Sequence, residues 1–201
     1  METRQAEPSR NTILQAAYCE IHRKGFQAAS IADILKDTGL TKGALYHHFP
    51  TKQALGLAVI EEVIGENLAR LLFAPIRQSE KPFEALLYLI AHIDELAPPD
   101  FATLGCPLNN LMQEMSPLDP EFKSRLNGIL RNWRDTVEWA LLQGKGQGEV
   151  RPEVDCASAA LFIVSAWEGC IGIAKNMQSV DSFRSCMMQL HDYVASLRIS
   201  K

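Results

Sequence analysis

A run of eight residues near the N-terminus mixes small side chains with groups that donate or accept hydrogen bonds. Hydroxyl and cationic groups suit phosphate oxygens, whereas residues without bulk let a helix approach the edges of DNA bases. The residues concerned are Thr41, Lys42, Gly43, Ala44, Tyr46 and His47. Their chemistry predicts contact with a nucleic acid rather than catalysis.

This run lies on the second of two short predicted helices. Ser30 opens a first helix over residues 31–37, and Pro50 ends the second over residues 41–48. The turn between them contains Gly39. Two helices joined in this way are typical of a helix-turn-helix, which lays its second helix in the DNA major groove. The spacing alone also fits an ordinary helical corner.

A longer helix is predicted before this pair. Ser9 is a candidate cap for a helix over residues 10–24, and Gly25 is expected to end it. Residues 1–9 are then expected to form a short disordered arm. We therefore predict a small DNA-binding domain over residues 10–55.

The rest of the chain is also predicted to be helical. A connector helix is expected from Thr51 to about residue 73, before Pro75, and residues 75–201 are expected to form a larger second domain. Strand patterns joined by Asn-Gly or Asp-Gly turns are absent from the sequence, so the predicted fold class is all-α. The further predicted helices span residues 82–97, 106–115, 120–143, 155–176 and 181–197.

Charge is divided unevenly along the 201 residues. The formal net charge is −4, yet residues 1–60 hold seven Lys or Arg against five Asp or Glu. Basic residues 1–60 and an acidic remainder would orient the protein on DNA through its N-terminal part.

Composition also excludes several classes of protein. The apolar runs are too short to span a bilayer, and the sequence contains no Walker loop, GxSxG, HExxH or dinucleotide fingerprint of an enzyme. The five cysteines are irregularly spaced without a CxxC pair, so we expect reduced thiols in a cytoplasmic protein. No cofactor is expected. No metal is expected at the adjacent His47 and His48 either, because neighbouring side chains on a helix point about 100° apart.

The segment Gly-Leu-Thr-Lys-Gly-Ala-Leu-Tyr-His-His-Phe-Pro, residues 39–50, closely resembles the DNA-binding signature of the TetR family of bacterial transcriptional regulators. The resemblance covers roughly residues 10–60 and includes a Leu-Tyr-x-x-Phe-x-x-Lys pattern that ends at Lys52. It implies a homodimer that binds operator DNA, with a three-helix DNA-binding domain and a larger ligand-binding and dimerisation domain. A repressor released by a small-molecule or reactive electrophile inducer is expected, with an activator as an alternative.

Roles on DNA can be assigned to individual residues. Thr41 caps the recognition helix where its free N–H groups face a phosphate, and Lys42 reaches a base edge or a phosphate. Ala44 is small enough to bring its methyl group near a thymine methyl. Tyr46 is a phosphate contact by the resemblance. The complete predicted DNA-binding set is Ser30, Thr41, Lys42, Gly43, Ala44, Tyr46, His47 and Lys52.

Cys106 is the candidate for chemical sensing. Gly105 and Pro107 place its thiol at a helix start, and helix N-termini lower the pKa of thiols. The segment Gly-Cys-Pro-Leu-Asn-Asn resembles a subgroup of TetR-type regulators that includes thiol-based sensors, which implies Lys175 as a partner. The alternative is a small buried residue without reactivity.

An inducer pocket and a dimer surface are expected in the second domain. Pocket candidates are Asn109, Met112, Trp133, Trp167 and Met177, with plain core packing as the alternative. The resemblance implies a dimer through the last two helices. Small residues on the helix over residues 155–176 permit close approach of a partner: Ser158, Ser165, Gly169 and Gly172. Plausible neighbours of that seam are Ala159, Phe162, Ala166 and Leu190. Ordinary core packing is the alternative for these residues. A helical adaptor that binds only protein is the other functional class considered, and it predicts no salt-dependent affinity for DNA.

Overall fold

A computed structural model describes residues 3–199, with side chains from Ser9 onward. The all-α class is confirmed: within the described residues the β-structure is limited to an isolated bridge between Val150 and Arg198. The α-helices are α1 (Thr3–Lys24), α2 (Ile31–Leu35), α3 (Lys42–His48), α4 (Lys52–Ala58), α5 (Glu66–Leu68), α6 (Ala74–Arg77), α7 (Pro82–Leu96), α8 (Phe101–Leu104), α9 (Pro107–Met115), α10 (Pro120–Gly146), α11 (Cys156–Met177) and α12 (Val180–Ser196). Two π-helical segments are π1 (Val59–Gly65) and π2 (Ala69–Phe73).

The N-terminal arm differs from the expectation. α1 begins at Thr3, so residues 3–9 are helical rather than disordered, and Ser9 lies inside the helix instead of capping it. Arg, Gln, Ala and Glu are among the better helix formers, which favours continuing the helix toward the N-terminus. Residues 1–2 of the predicted arm lie outside the described residues.

The chain divides into two compact units. Unit 1 comprises the chain up to Asn67 together with Pro107–Asn127, and unit 2 comprises Leu68–Cys106 together with the chain from Gly128 onward. The expected division placed residues 107–127 in the second domain, whereas their contacts join them to the first. The division of function between a DNA-binding and a sensing domain stays a prediction.

Unit 1 is built around short helices that share one apolar core. α1 contributes a stripe of apolar residues at helical spacing, and α2, α3 and α4 each add one or two large side chains. Tyr18 of α1 is only half-buried and stacks on His22. The buried residues are Ile13, Leu14, Ala17, Ile21, Ile34, Leu35, Leu45, Phe49 and Leu55.

The predicted connector helix is present but irregular. Helical structure runs without a break from α4 to α6, and π1 and π2 interrupt the α-helical register. The prediction that the helix ends before Pro75 is wrong, because Pro75 lies in the first turn of α6. Proline has no backbone N–H to donate, so Pro75 removes one hydrogen bond from the ladder without ending the helical stretch.

Unit 2 packs α7, α8, α11, α12 and most of α10 around a second core. Trp133 of α10 and Trp167 of α11 are both buried, with ring centroids 5.6 Å apart and ring planes at 78°. α8 was not predicted; it precedes Gly105, whose φ of 77° is in the region that favours glycine.

A disulfide in unit 2 corrects the expectation that all five cysteines are reduced. Cys170 of α11 and Cys186 of α12 are bonded, with their Cα atoms 5.6 Å apart, within the usual range for a disulfide. Cys19, Cys106 and Cys156 are not disulfide-bonded. The pairing depends on how α11 packs against α12, which a separation of 16 residues does not reveal.

By length and composition alone, α11 could cross a membrane, so the expectation that the apolar runs are too short does not hold for this helix. Its buried residues lie in the core of unit 2, as is usual for a core helix of a soluble protein.

Candidate DNA-binding surface and sensing residues

The candidate recognition helix α3 exposes the residues predicted to touch DNA and buries its anchors. Leu45 is completely buried and Phe49, which follows the helix, is nearly so. Tyr46 is 47% exposed, an unusual position for a large aromatic side chain. The exposed members of the predicted set on this helix and at its cap are Thr41, Lys42, Gly43, Tyr46 and His47, with Ala44 half-buried.

Side-chain caps fix where the helices of this module begin. The Ser30 hydroxyl accepts a hydrogen bond from the Asp33 backbone N–H at 3.0 Å, and Thr41 does the same for Ala44 at 3.2 Å. Thr51 caps α4 in the same way. The predicted helix starts are therefore confirmed, and each cap satisfies an N–H group that would otherwise lack a partner.

Arg10 secures the end of α3 from α1. Its guanidinium forms a two-point ion pair with the Glu62 carboxylate of π1, at 2.6 and 2.7 Å, and lies 5.0 Å from the centre of the Phe49 ring. The hydrogen bonds from Arg10 hold the pKa of Glu62 below its usual value. Arg10 thus links α1, α3 and π1, a role that sequence reasoning missed because the three elements are distant along the chain.

Glu114 of α9 clamps the turn between α1 and α2. Its two carboxylate oxygens accept the backbone N–H groups of Phe26 and Gln27, each at 2.8 Å. Gly25 precedes them with φ +86°, and a Cβ there would meet a Glu114 oxygen at 2.9 Å. Glu114 was not among the predicted site residues, and the signal in the sequence was limited to the predicted Gly25 cap.

Lys52, predicted to contact DNA, is engaged within unit 1. Its ammonium donates a hydrogen bond to the Gln27 carbonyl at 3.1 Å and lies 4.7 Å from the centre of the Phe26 ring. Burial lowers the pKa of Lys52, and the nearby Glu114 charge partly offsets this effect. The structure gives Lys52 a positioning role at the clamped turn, and its contact with DNA stays a prediction.

Phe26 is itself packed tightly. Its ring lies 4.5 Å from that of Phe122, and both rings press on α4 at Gly56. A Cβ at Gly56 would meet Phe26 at 2.5 Å and Phe122 at 2.7 Å. Only glycine lets α4 approach these rings this closely.

The sensing candidates are distributed over both units. Cys106 is buried, 8% exposed, and directly precedes α9, whose first residue is Pro107 as predicted. Cys106 and Lys175 belong to unit 2, together with the Trp133 and Trp167 pair. Asn109 and Met112 lie on α9 in unit 1 and are half-buried.

Met177 does not fit the predicted pocket. It is the last residue of α11 and its side chain is 58% exposed. The buried aromatic pair Trp133 and Trp167 is the part of the predicted pocket set that the structure brings into direct contact.

An open apolar surface runs along α11. Large apolar side chains and small residues share this face at spacings of three to four residues, and the rings of Phe162 and Tyr193 meet edge to face at 4.7 Å. Ala159 and Leu190, predicted to lie near the dimer seam, are buried in the core of unit 2 and Ala166 is half-buried. The exposed residues are Ser158, Leu161, Phe162, Ser165, Gly169, Gly172 and Ile173.

Comparison with protein families matches both parts of the chain. Residues 13–59 match the model for bacterial regulatory proteins of the tetR family, and residues 82–190 match a tetracyclin repressor-like C-terminal domain. The first match contains the capped helices and the second contains most of α7 to α12.

Known proteins agree with the family matches. The chain is 30% identical over 172 residues to the transcriptional regulator AcuR of Cereibacter sphaeroides, covering 85% of this chain and 78% of AcuR. It is 24% identical over 192 residues to the transcriptional repressor DhaR of Mycobacterium sp. (strain GP1), covering 90% and 91% of the two chains. A TetR transcriptional regulator from Chloroflexus aurantiacus shares the fold, with a TM-score of 0.86 at 23% identity, covering 98% of this chain and all of the other. The chain belongs to the TetR family and is a DNA-binding transcriptional regulator rather than an enzyme.

Proposed function

We propose that the chain is a dimeric repressor that reads a pseudo-palindromic operator with α3. The exposed face of α3, held on the buried anchors Leu45 and Phe49, carries this proposal. A dimer would place its two recognition helices in successive major grooves, about 34 to 36 Å apart. Phosphate contacts from Tyr46 and His47 would fix the position, and Lys42, Gly43 and Ala44 would face the bases.

The dimer surface is the exposed face of α11, completed by α12. Large apolar side chains in a contiguous exposed patch mark a site of association, and Gly169 and Gly172 leave room above the helix for a partner helix. The partner is a second copy of the chain, so that each α11 packs against a partner helix. A second copy also accounts for the partial burial of the apolar helix α11 within one copy.

The inducer is a small molecule that acts on unit 2. The buried Trp133 and Trp167 pair supplies an apolar, aromatic lining, which suits a mostly apolar ligand pocket. Because a ligand shifts an equilibrium only through its different affinities for two states, the inducer must favour the subunit arrangement with the wrong helix spacing. The repressor acts in the bacterial cytoplasm, where its operator DNA is located.

The decisive test is selection of bound duplexes from a random library, followed by anisotropy titration at two salt concentrations. We expect a palindromic winner whose affinity falls steeply with salt, because each neutralised phosphate releases counterions. Tyr46→Ala should weaken binding roughly tenfold or more, since both subunits lose a phosphate contact. Tyr88→Ala is the matched control, because Tyr88 is an exposed tyrosine of α7 in unit 2. If no duplex is enriched, the adaptor class becomes the better explanation.

Cys106 is the candidate for induction by reactive electrophiles. Its position at the start of α9 supports the idea, whereas its burial favours the alternative of a small core residue. In an anisotropy assay, Cys106→Ser should keep its operator affinity and lose electrophile-induced release. A mutant that is still released like the unmodified chain would leave Cys106 as a core residue.

A further inference from the structure

The disulfide between α11 and α12 lies directly behind the exposed face of α11. Cys170 is 2% exposed and occupies the core stripe of α11, one turn from Trp167 on one side and Ala174 on the other. Gly169 and Gly172, which flank Cys170 closely in sequence, belong to the exposed face. The bond therefore anchors the part of α11 that the proposed dimer would use.

The helices do not need the bond in order to pair. A short turn joins them, with Gln178 in the left-handed conformation and Ser179 capping α12 through the Ser182 N–H at 3.1 Å. Buried side chains from both helices, including Ile163 and Leu190, also share the core of unit 2. Opening the bond would thus loosen the α11–α12 pair without dissolving it.

We propose that Cys170 and Cys186 form a reversible thiol–disulfide site whose redox state sets the strength of the dimer. The inference rests on the proposed function, because a disulfide in a cytoplasmic protein is usually transient and redox-sensing. The reduced form holds α11 less firmly, so its dimer is weaker and its operator occupancy is lower. The oxidised form, which the structure contains, is the tighter dimer.

Reduction starts at Cys186, the less buried of the two cysteines. A thiolate of a cellular dithiol attacks its Sγ, the S–S bond breaks, and Cys170 leaves as a thiolate and takes up a proton. The second thiol of the dithiol then attacks the reductant's own sulfur in the mixed disulfide and releases Cys186. The dithiol ends oxidised and both cysteines end reduced.

Oxidation needs a peroxide. The Cys186 thiolate attacks one peroxide oxygen, the O–O bond breaks, and a sulfenic acid and water form. The Cys170 sulfur then attacks the Cys186 sulfur, the S–O bond breaks, and a second water leaves. Two thiols are oxidised and the peroxide is reduced to two waters. Cys156 is a poor competitor, because burial raises the pKa of its thiol.

The first experiment measures the bond itself on the full-length native chain. Differential alkylation and peptide mass spectrometry follow each cysteine across a series of glutathione redox ratios and after hydrogen peroxide. We expect the thiols of Cys170 and Cys186 to be oxidised and reduced together, as one two-electron couple. The proposal is overturned if the disulfide stays intact in native protein treated with dithiothreitol, or if the thiols stay reduced after peroxide.

The second experiment measures what the bond does. Oxidised chain should melt roughly 5 to 10 °C above reduced chain and have a dimer dissociation constant roughly fivefold lower or more. Cys186→Ser, and Cys170→Ala as a second variant at the buried position, should behave like reduced chain under all conditions. Cys19→Ser, an exposed cysteine of α1, should respond like the unmodified chain. Equal dimer constants in the oxidised and reduced chain overturn the proposal.

Operator titration separates this inference from the proposed function. Weaker operator binding after reduction, in step with the weaker dimer, supports the redox site. Loss of duplex binding in both redox states would count against the repressor instead, and the redox site would then be judged on the dimer constant, which needs no DNA.

Discussion

Gly25 and Glu114 depend on each other at the turn that follows α1. The turn leaves two backbone N–H groups, of Phe26 and Gln27, pointing at one carboxylate, and the missing Cβ of Gly25 makes room for it. A buried or half-buried donor without an acceptor is costly, so the carboxylate matters more than an ordinary surface charge. A single side chain from α9 therefore fixes how α2 approaches α1.

Removing the Glu114 carboxylate should lower the stability of unit 1. Glu114→Ala removes the acceptor of both N–H groups, of which that of Phe26 is part-buried and that of Gln27 is exposed to water. We therefore expect the free energy of unfolding to fall by about 1 to 2 kcal/mol. Urea titration followed by circular dichroism measures the change. Gln113→Ala is the control, because Gln113 is the exposed neighbour on the same helix; an equal loss in both variants would argue against the clamp.

Gly56 should be intolerant of even one added methyl group. Gly56→Ala places a Cβ within 2.5 Å of Phe26 and 2.7 Å of Phe122, and overpacking of this kind costs about 1 to 3 kcal/mol. Gly128 of α10 has nothing within 4 Å of its added Cβ. Gly128→Ala should therefore stabilise the chain by roughly 0.5 to 1 kcal/mol, since alanine is the better helix former. Thermal melting of both variants tests the pair, and a neutral Gly56→Ala would show that the two rings can move aside.

Ion pairs within α1 and between α1 and π1 make unit 1 sensitive to acid. Hydrogen bonds from Arg10 and Lys24 lower the pKa values of Glu62 and Glu20 below the ordinary glutamate value of 4.5. A carboxyl whose pKa is lower in the folded state stabilises the fold above its unfolded pKa, and this stability is lost as the pH falls through the lowered value. We expect the urea midpoint to fall as the pH decreases from about 6 to about 3.

A variant isolates the contribution of one pair. In Glu62→Gln the urea midpoint should fall less as the pH decreases, because Arg10 has lost its charged partner. Glu66→Gln should leave the pH dependence of the urea midpoint unchanged, since the described residues contain no ion-pair partner for the exposed Glu66. The same pH dependence in the unmodified chain and in Glu62→Gln would show that the Arg10–Glu62 pair does not couple folding to proton binding.

Local signals made most of the helices predictable. Ser30, Thr41 and Thr51 mark helix starts through hydrogen bonds that span three residues, so sequence alone located them. The π-helical segments and the continuation through Pro75 were missed, because hydrophobic spacing does not distinguish a π-turn from an α-turn. The Glu114 clamp and the Cys170–Cys186 bond were missed for a different reason: each joins residues that only packing brings together.

For the whole molecule, function depends on how two copies join. Ile173 lies on the open face of α11 and is 59% exposed. In the proposed dimer, Ile173→Glu would bury an unpaired carboxylate at each seam, so it should shift the chain from dimer to monomer. Operator affinity should fall with it, because one subunit reaches only one half-site. Light scattering after size exclusion measures the mass.

Leu142→Glu is the matched control for this variant. Leu142 is an exposed leucine of α10 that lies off the α11 face. It should remain a dimer and keep its operator affinity. If both variants dissociate the dimer, or if neither does, the interface lies elsewhere on unit 2.

The discontinuity of unit 1 also bears on how the protein is made. The α1–α2 turn acquires its carboxylate partner only from Glu114, and the ring that packs on Phe26 comes only from Phe122. On the ribosome, the helix-turn-helix therefore emerges well before the residues that complete its own unit, which ends at Asn127. A nascent chain halted before Glu114 should contain the recognition helix but lack residues that stabilise unit 1. Operator binding during synthesis should therefore require that more than half of the protein has been translated.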